Sequence, residues 1–310
     1  SSFWKGKKVL ITGNTGFKGS WLSLWLLSMG ANIRGYALQP DKKINLFNAF
    51  NLDNNMETEF KDIRDFENLN KYFKKFDPEI IFHMAAQPLV RYSYDNPLET
   101  YSVNIMGTAN IMECIRLGSK ERVFINITSD KCYENKEWLW GYREDEPMGG
   151  YDPYSSSKGC SELITSAYRR SYFDNKNNDV AIASVRSGNV IGGGDWSEDR
   201  LIPDFIRAIS KGKAVSIRNP NAIRPWQFVL APLDGYMNLA EKMFFDREDY
   251  CQAWNFGPEE SDAKTVEWII NKIVNLWGEG ASFNISKSSS DPHEANYLKL
   301  DCSKAKNKLN

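Results

Sequence analysis

Two rhythms of apolar and polar positions alternate along the first 185 residues. Val9, Leu10 and Ile11 are contiguous, as are Ile80, Ile81 and Phe82. Such short unbroken runs predict strands buried on both faces, as in a parallel sheet. The first strand lies at 9–11, and later ones are expected at 32–38, 58–61, 79–83, 122–127 and 180–185. Between them the apolar positions take helical spacing, over 20–29, 66–73, 96–117 and 153–172. This alternation predicts an α/β fold with a doubly wound parallel sheet. Beyond 185 the pattern turns mixed: helices over 199–211, 233–245 and 264–277, a strand at 253–256, a loop at 282–292 and a last helix from 301. The change predicts two parts, residues 1–185 plus about 227–257, and a smaller mixed part of about 186–226 plus 258–310.

The first strand runs straight into Gly13-Asn14-Thr15-Gly16-Phe17-Lys18-Gly19, and a helix follows at once. Strand, glycine turn and helix are the context in which such a pattern binds a dinucleotide. The first glycine permits the tight turn, the second admits a pyrophosphate to the backbone, and the third lets helix and strand pack closely. The free N–H groups of the helix start then attract phosphate. An acidic residue at the end of the second strand often holds the adenosine ribose. Ala37 stands there instead, with Asp41 behind Pro40. Lys18 would face a ribose phosphate or be a solvated charge at the helix start, so NAD and NADP both stay open. Asp65 is placed to cap the helix at 66–73. His83, at a strand end, reads as a hydrogen-bonded core residue rather than a catalyst.

Composition narrows the partners. The 39 basic residues nearly balance the 40 acidic ones, a net charge of −1, which argues against nucleic acid. No apolar run reaches membrane-spanning length. The five cysteines are scattered, and with His83 and His293 the sole histidines, no zinc set or other metal site is expected. Unpaired cysteines of this kind suit a reducing, cytoplasmic setting.

Residues 128–150 are polar and too long for an idle connector. Trp138, Trp140 and Tyr142 with Glu144, Asp145 and Glu146 mark the segment as a lid or binding loop. It opens on Ser129, Asp130 and Lys131 at the end of the fifth strand. Tyr154 and Lys158 follow, four apart on one helix face. A cation beside a phenol favours the phenolate and brings tyrosine towards a working base. Residues 186–194, ending in Gly192-Gly193-Gly194, leave the sheet through flexible backbone. Arg224 before Pro225 suits a phosphate, since guanidinium and phosphate geometries match. Asn104 sits in mid-helix, where asparagine is a poor former.

The quoted stretches resemble the extended short-chain dehydrogenase/reductase family, in its nucleotide-sugar epimerase and dehydratase branch, over essentially all 310 residues. The most specific are 12–22, 83–91, 128–133, 149–155, 188–196 and 223–227. The resemblance implies a Rossmann-type sheet with a smaller substrate domain, and NAD held by Gly13, Asn14, Thr15, Gly16, Phe17, Lys18, Gly19, Asp62, Ile63, Ala85, Ala86, Asn104, Tyr154 and Lys158. It implies a 4,6-dehydratase cycle on a nucleotide sugar, CDP-glucose first, within deoxysugar and O-antigen (lipopolysaccharide) biosynthesis. Ser129, Tyr154 and Lys158 would run the oxidation, with Asp130 as acid and Lys131 as base of the elimination. Gln87, Asn189, Arg200, Leu201 and Arg224 would meet substrate, and a homodimer would pair through 96–117 and 153–172. Relatives of this kind continue past residue 310. Another 4,6-dehydratase, a 4-epimerase or reductase on the same scaffold, and a non-catalytic cofactor-binding protein remain the alternatives.

Overall fold

The computed structural model describes residues 2–40, 44–118, 120–173, 179–285 and 297–309. Asp41, His293 and most of the expected loop at 282–292 lie outside them. Seven parallel strands form the central sheet: β1 (Lys8–Thr12), β2 (Asn32–Ala37), β3 (Glu57–Phe60), β4 (Ile80–His83), β5 (Arg122–Ile127), β6 (Val180–Ser187) and β7 (Ala253–Phe256). Their order is β7-β6-β5-β4-β1-β2-β3, a Rossmann-type arrangement. Side chains alternate across it. Val9 and Ile11 pack with Leu22, Leu26, Leu233 and Met243 on one face, while Leu10 packs with Leu69, Phe73, Ile111 and Ile115 on the other.

The longer helices are α1 (Phe17–Ser28), α2 (Phe66–Phe76), α3 (Gly107–Arg116), α4 (Pro153–Tyr168), α5 (Leu201–Ile209), α6 (Leu230–Phe245) and α7 (Val266–Trp277). Asp65 caps α2 by accepting from the Asn68 amide, as its position suggests. Phe205, Ile209, Val215, Ile217 and Ile270, from α5, α7 and a short strand at Val215–Ile217, form an apolar cluster of their own. Among the described residues no helix is long and apolar enough to cross a membrane. All five cysteines are free thiols.

Three stretches depart from the sequence pattern, each for a local reason. The helix expected over 96–117 is divided into Pro97–Tyr101, a π-helical turn at Ser102–Met106, and α3. The wider turn carries Asn104, whose Oδ1 accepts from the Gln87 amide at 2.8 Å while its Nδ2 donates to Ser157 Oγ at 2.8 Å. β6 runs to Ser187, two residues past the expected end. Arg186 stays in the sheet because Glu162 of α4 neutralises it there, Nε to Oε1 at 2.9 Å. The segment at 128–150 is held at its far end, where Tyr142 donates its amide to the Lys299 carbonyl and stacks on Tyr133. Its near end, Ser129 to Asn135, lines the cleft described below.

His83 is fully enclosed in the core. Its Nδ1 lies 2.7 Å from Thr12 Oγ1 and its Nε2 3.3 Å from Thr108 Oγ1. Burial drives its pKa down to about 3, with Lys158 adding to the effect. Below about pH 6.5 the unfolded chain therefore binds a proton that the native protein refuses, so stability falls as pH drops from there. Relative to a His83→Gln protein, the native protein should lose roughly 1.4 kcal/mol per pH unit between pH 6 and pH 4. Paired denaturant titrations across that range check the slope.

Candidate active site

A cleft of about 1410 Å³ opens at the C-terminal ends of β1, β4, β5 and β6. A single-ligand pocket holds roughly 300–1,000 Å³, so this one has room for two molecules. Ligands of open α/β sheets collect at this edge, where the strand order reverses.

The glycine turn forms one wall. Gly13 has φ +73°, and a Cβ there would lie 2.7 Å from the Ala85 amide nitrogen. A Cβ on Gly19 would lie 2.3 Å from the Gly13 carbonyl oxygen. At Gly16 the nearest atom would be the Gly13 carbonyl oxygen at 3.4 Å, an ordinary contact, so that position alone of the three is not closed by a clash. Gly16 also caps α1 without a side-chain bond, which leaves the first amides of a twelve-residue helix facing the cleft. Closed first and third glycines, an open second and bare amides fit a dinucleotide pyrophosphate.

Thr15 pins the turn to β2 by donating to the Leu38 carbonyl at 2.9 Å. Ile63 and Asp62 line the far end, where Arg64 beside Asp62 holds its carboxyl below the usual range. Phe17, Lys18, Ala85 and Ala86 line the cleft as well. Asn14 does not, because its side chain turns into the sheet and donates to Thr58 Oγ1 at 2.9 Å. Its Oδ1 is buried without a partner, and the space it fills exists because residue 35 is glycine. Asn104 and Gln87 also stay behind the wall. Gln87 donates to Thr100 Oγ1 at 2.8 Å and accepts from the Leu89 amide, so it shapes the loop after β4.

Lys18 departs from both readings of the sequence. It neither faces a ribose phosphate at the end of β2 nor lies in solvent. Its Nζ donates to Ser187 Oγ at 2.8 Å, at the end of β6 and on the opposite side of β1 from β2. Burial of the ammonium end pulls its pKa down to about 7, Arg200 and Lys158 push the same way, and Asp130 opposes them. Ser187 accepts a second bond, 2.7 Å, from the Tyr236 hydroxyl of α6. Neither Ser187 nor Tyr236 was signalled by the sequence, since Tyr236 sits 49 residues away in an ordinary helical pattern.

The opposite wall carries the reacting groups. Asp152 caps α4 by accepting from the Ser155 amide at 2.9 Å, and Pro153 starts the helix. Tyr154 and Lys158, one turn apart, are both buried. Ser129 ends the stretch after β5, and Lys131 donates its amide to Ser129 Oγ at 3.2 Å. Ser129 in turn donates to Asp130 Oδ1 at 3.0 Å and hydrogen-bonds the Tyr154 phenol. Lys158 Nζ donates to the Ile127 carbonyl at 3.3 Å.

The expected lowering of the Tyr154 pKa is not met in this state. Burial pushes the phenol up to about 12, against the Ser129 bond. The physical reason is that desolvation, joined by the charges of Asp130 and Asp152, outweighs the Ser129 bond and Arg200, while the Lys158 ammonium donates to the Ile127 carbonyl. The same burial draws Lys158 down to about 8, against the pull of Glu162. Asp130 is raised by burial, opposed by Lys131, Ser129, Arg224 and Lys18. A Cβ on Gly188 would lie 2.8 Å from Asp130 Oδ2, so glycine there makes room for the carboxyl. Asn189, Arg200, Leu201 and Arg224 line the remaining side, with Arg200 bonded to Asp195 at 2.8 Å.

A family profile described as GDP-mannose 4,6 dehydratase matches residues 10–310. A CDP-glucose 4,6-dehydratase of Salmonella typhimurium is 56% identical over 99% of this chain and 86% of its own length. A UDP-glucose 4-epimerase of Mycolicibacterium smegmatis is 29% identical over 74% of this chain and 72% of its own. Among solved structures, an epimerase of Methanothermobacter thermautotrophicus has a TM-score of 0.83 at 25% identity, covering 99% of this chain and 88% of that one. A dTDP-glucose 4,6-dehydratase of Bacillus anthracis, in complex with NAD, has a TM-score of 0.79 at 19% identity, covering 98% and 90%, and shares the fold.

Replacing Gly13 by alanine places a side chain against the Ala85 backbone and forces a left-handed residue. We expect a loss of about 1–3 kcal/mol of stability and at least tenfold weaker dinucleotide binding. Thermal unfolding and calorimetric titration with NAD measure the two effects.

Proposed function

The chain belongs to the GDP-mannose 4,6 dehydratase family, and from that premise we propose that it is an NAD-dependent lyase converting CDP-glucose to CDP-4-keto-6-deoxyglucose. The observation that carries this reading is Asp130. A buried carboxyl with a raised pKa, bonded to Ser129 and next to Lys131, is what an elimination adds to an oxidation site. Cytidine as the base rests on the 56% identical relative.

NAD would be held on the glycine turn by Gly13, Gly16, Gly19 and the first amides of α1, and would supply hydride-transfer chemistry for the oxidation at C4 and the reduction at C6. The chain's own residues handle the protons. Tyr154 takes the proton of the 4-hydroxyl, with Ser129 bonded to the same oxygen and Lys158 charged beneath them. The ketone at C4 acidifies the C5–H. Lys131 removes that proton while Asp130, whose burial favours the protonated form, gives one to the departing 6-hydroxyl. The base then returns its proton to C5. Arg224 and Arg200 hold the diphosphate, with Asn189, Leu201 and the Gln87 loop around the nucleotide sugar.

Residues of about 186–226 and 258–310 receive the nucleotide sugar in this reading, supported by their separate apolar cluster. We further infer a cytoplasmic homodimer paired through 96–117 and 153–172, where Leu98, Met106 and Leu163 are exposed. Its product would enter deoxysugar and O-antigen assembly.

Incubation with CDP-glucose and NAD in deuterated water should give a product lighter than substrate by one water and labelled at C5. An unchanged mass would instead mark an epimerase. Tyr154→Phe should lower kcat by about 10²–10⁴-fold while binding of CDP-glucose stays within a few-fold. Mass spectrometry of product and steady-state rates decide both points.

A further inference from the structure

Lys18 lines the cleft, and the reaction scheme above leaves it without a task. It sits at the first turn of α1, on the glycine cradle itself, yet its Nζ reaches Ser187 at the end of β6. The Tyr236 hydroxyl, bonded to the same Ser187 Oγ, fixes that end from α6. The charged groups that act on Lys18 are Arg200, Asp130 and Lys158. Lys158 and Asp130 belong to the reacting wall, while Gly16 and the α1 amides belong to the phosphate wall. A dinucleotide that spans from one to the other must run alongside this ammonium.

We propose that Lys18 sets the cofactor's redox preference: its fixed ammonium disfavours the positively charged oxidised nicotinamide relative to the neutral reduced one. The inference rests on the NAD reading above. It follows from a charge argument. Both cofactor forms carry the same pyrophosphate, so attraction between Lys18 and phosphate changes both affinities alike. The two forms differ by one positive charge at the reacting ring. A cation close to the cofactor's path, in a buried setting where screening is weak, therefore acts on the ratio of the affinities. The consequence for turnover is direct. A site that favours the reduced form eases the first oxidation of the sugar and makes the return at C6 the more demanding half.

The preference should also depend on pH. With a pKa near 7, Lys18 carries its charge below neutrality and loses it above. Arginine in its place keeps the charge throughout.

Dissociation constants for NAD and NADH, measured without substrate by calorimetry at pH 6 and pH 9, test this. In the unaltered protein the ratio Kd(NAD)/Kd(NADH) should fall several-fold from pH 6 to pH 9. In Lys18→Met it should be about tenfold lower at pH 6, a shift of about 30 mV for the bound two-electron couple, and should converge on the ratio of the unaltered protein at pH 9. Lys18→Arg should match the unaltered protein at pH 6 and exceed its ratio several-fold at pH 9, because the pH dependence that Tyr154 and Lys158 contribute is common to both proteins. A Lys18→Met protein that binds both forms more weakly but in the unaltered ratio overturns the proposal and makes Lys18 a phosphate ligand. A Lys18→Arg ratio at pH 9 no higher than that of the unaltered protein overturns it too. Failure of the unaltered protein to bind either form would instead remove the NAD reading on which the inference rests.

Discussion

Glu162 of α4 and Arg186 of β6 meet beneath the cleft in two bonds of 2.9 Å, and the reacting wall stands on that pair. Glu162 also accepts from Thr128 and Ser184, while Arg186 reaches the Tyr133 hydroxyl and the Glu144 carbonyl. One ion pair thereby ties together α4, the end of β5, β6 and the segment after it. Tyr154 and Lys158 ride on the same helix, about two turns and one turn before Glu162. Both partners are nearly inaccessible to water, and in such a pair the loss of one partner costs about 3–5 kcal/mol because the other charge is left stranded. The geometry of Ser129 against Tyr154 is thus set from below, by groups that never meet substrate.

Above that pair, burial governs the chemistry. It is the leading cause of the shift at Tyr154, Lys158, Lys18 and Asp130 alike, and in each case it favours the uncharged form. A phenol near 12 is a poor base by itself, and a neutral carboxyl is a good acid. Such a site does not hold its reactive charges in advance. Each ionic form must be stabilised by another charge that arrives in the same enclosed space, where interactions are strong. Proton transfer from the sugar hydroxyl is then coupled to the charge of whatever lies on the glycine turn.

Much of this was legible in the sequence because it depends on neighbours in the chain. The run of Val9, Leu10 and Ile11 before Gly13, Gly16 and Gly19 is strand, turn and helix start within a dozen residues. β5 was bounded correctly at 122–127, and Tyr154 and Lys158 share a face because four residues make about one helical turn. What escaped depends on distant partners. Arg186 reads as the end of a strand until Glu162, 24 residues earlier, is placed against it. Asn104 reads as a weak spot in a helix, yet the loop after β4 recruits it into a π turn. The direction of Lys18 is set by Ser187, 169 residues away, and no local pattern announces it. Asn14 belongs to the glycine turn by position, but the missing side chain at Gly35 draws it under the sheet.

The account turns on the charge state of one phenol. Carbon-13 NMR of protein labelled at the tyrosine Cζ, with Tyr154→Phe to assign the signal, reads that state without turnover. At pH 8 the Tyr154 resonance should lie at the phenol position in the free protein and move towards the phenolate position when oxidised NAD is added. A phenolate signal in the free protein, or a phenol signal unmoved by saturating NAD, would contradict it.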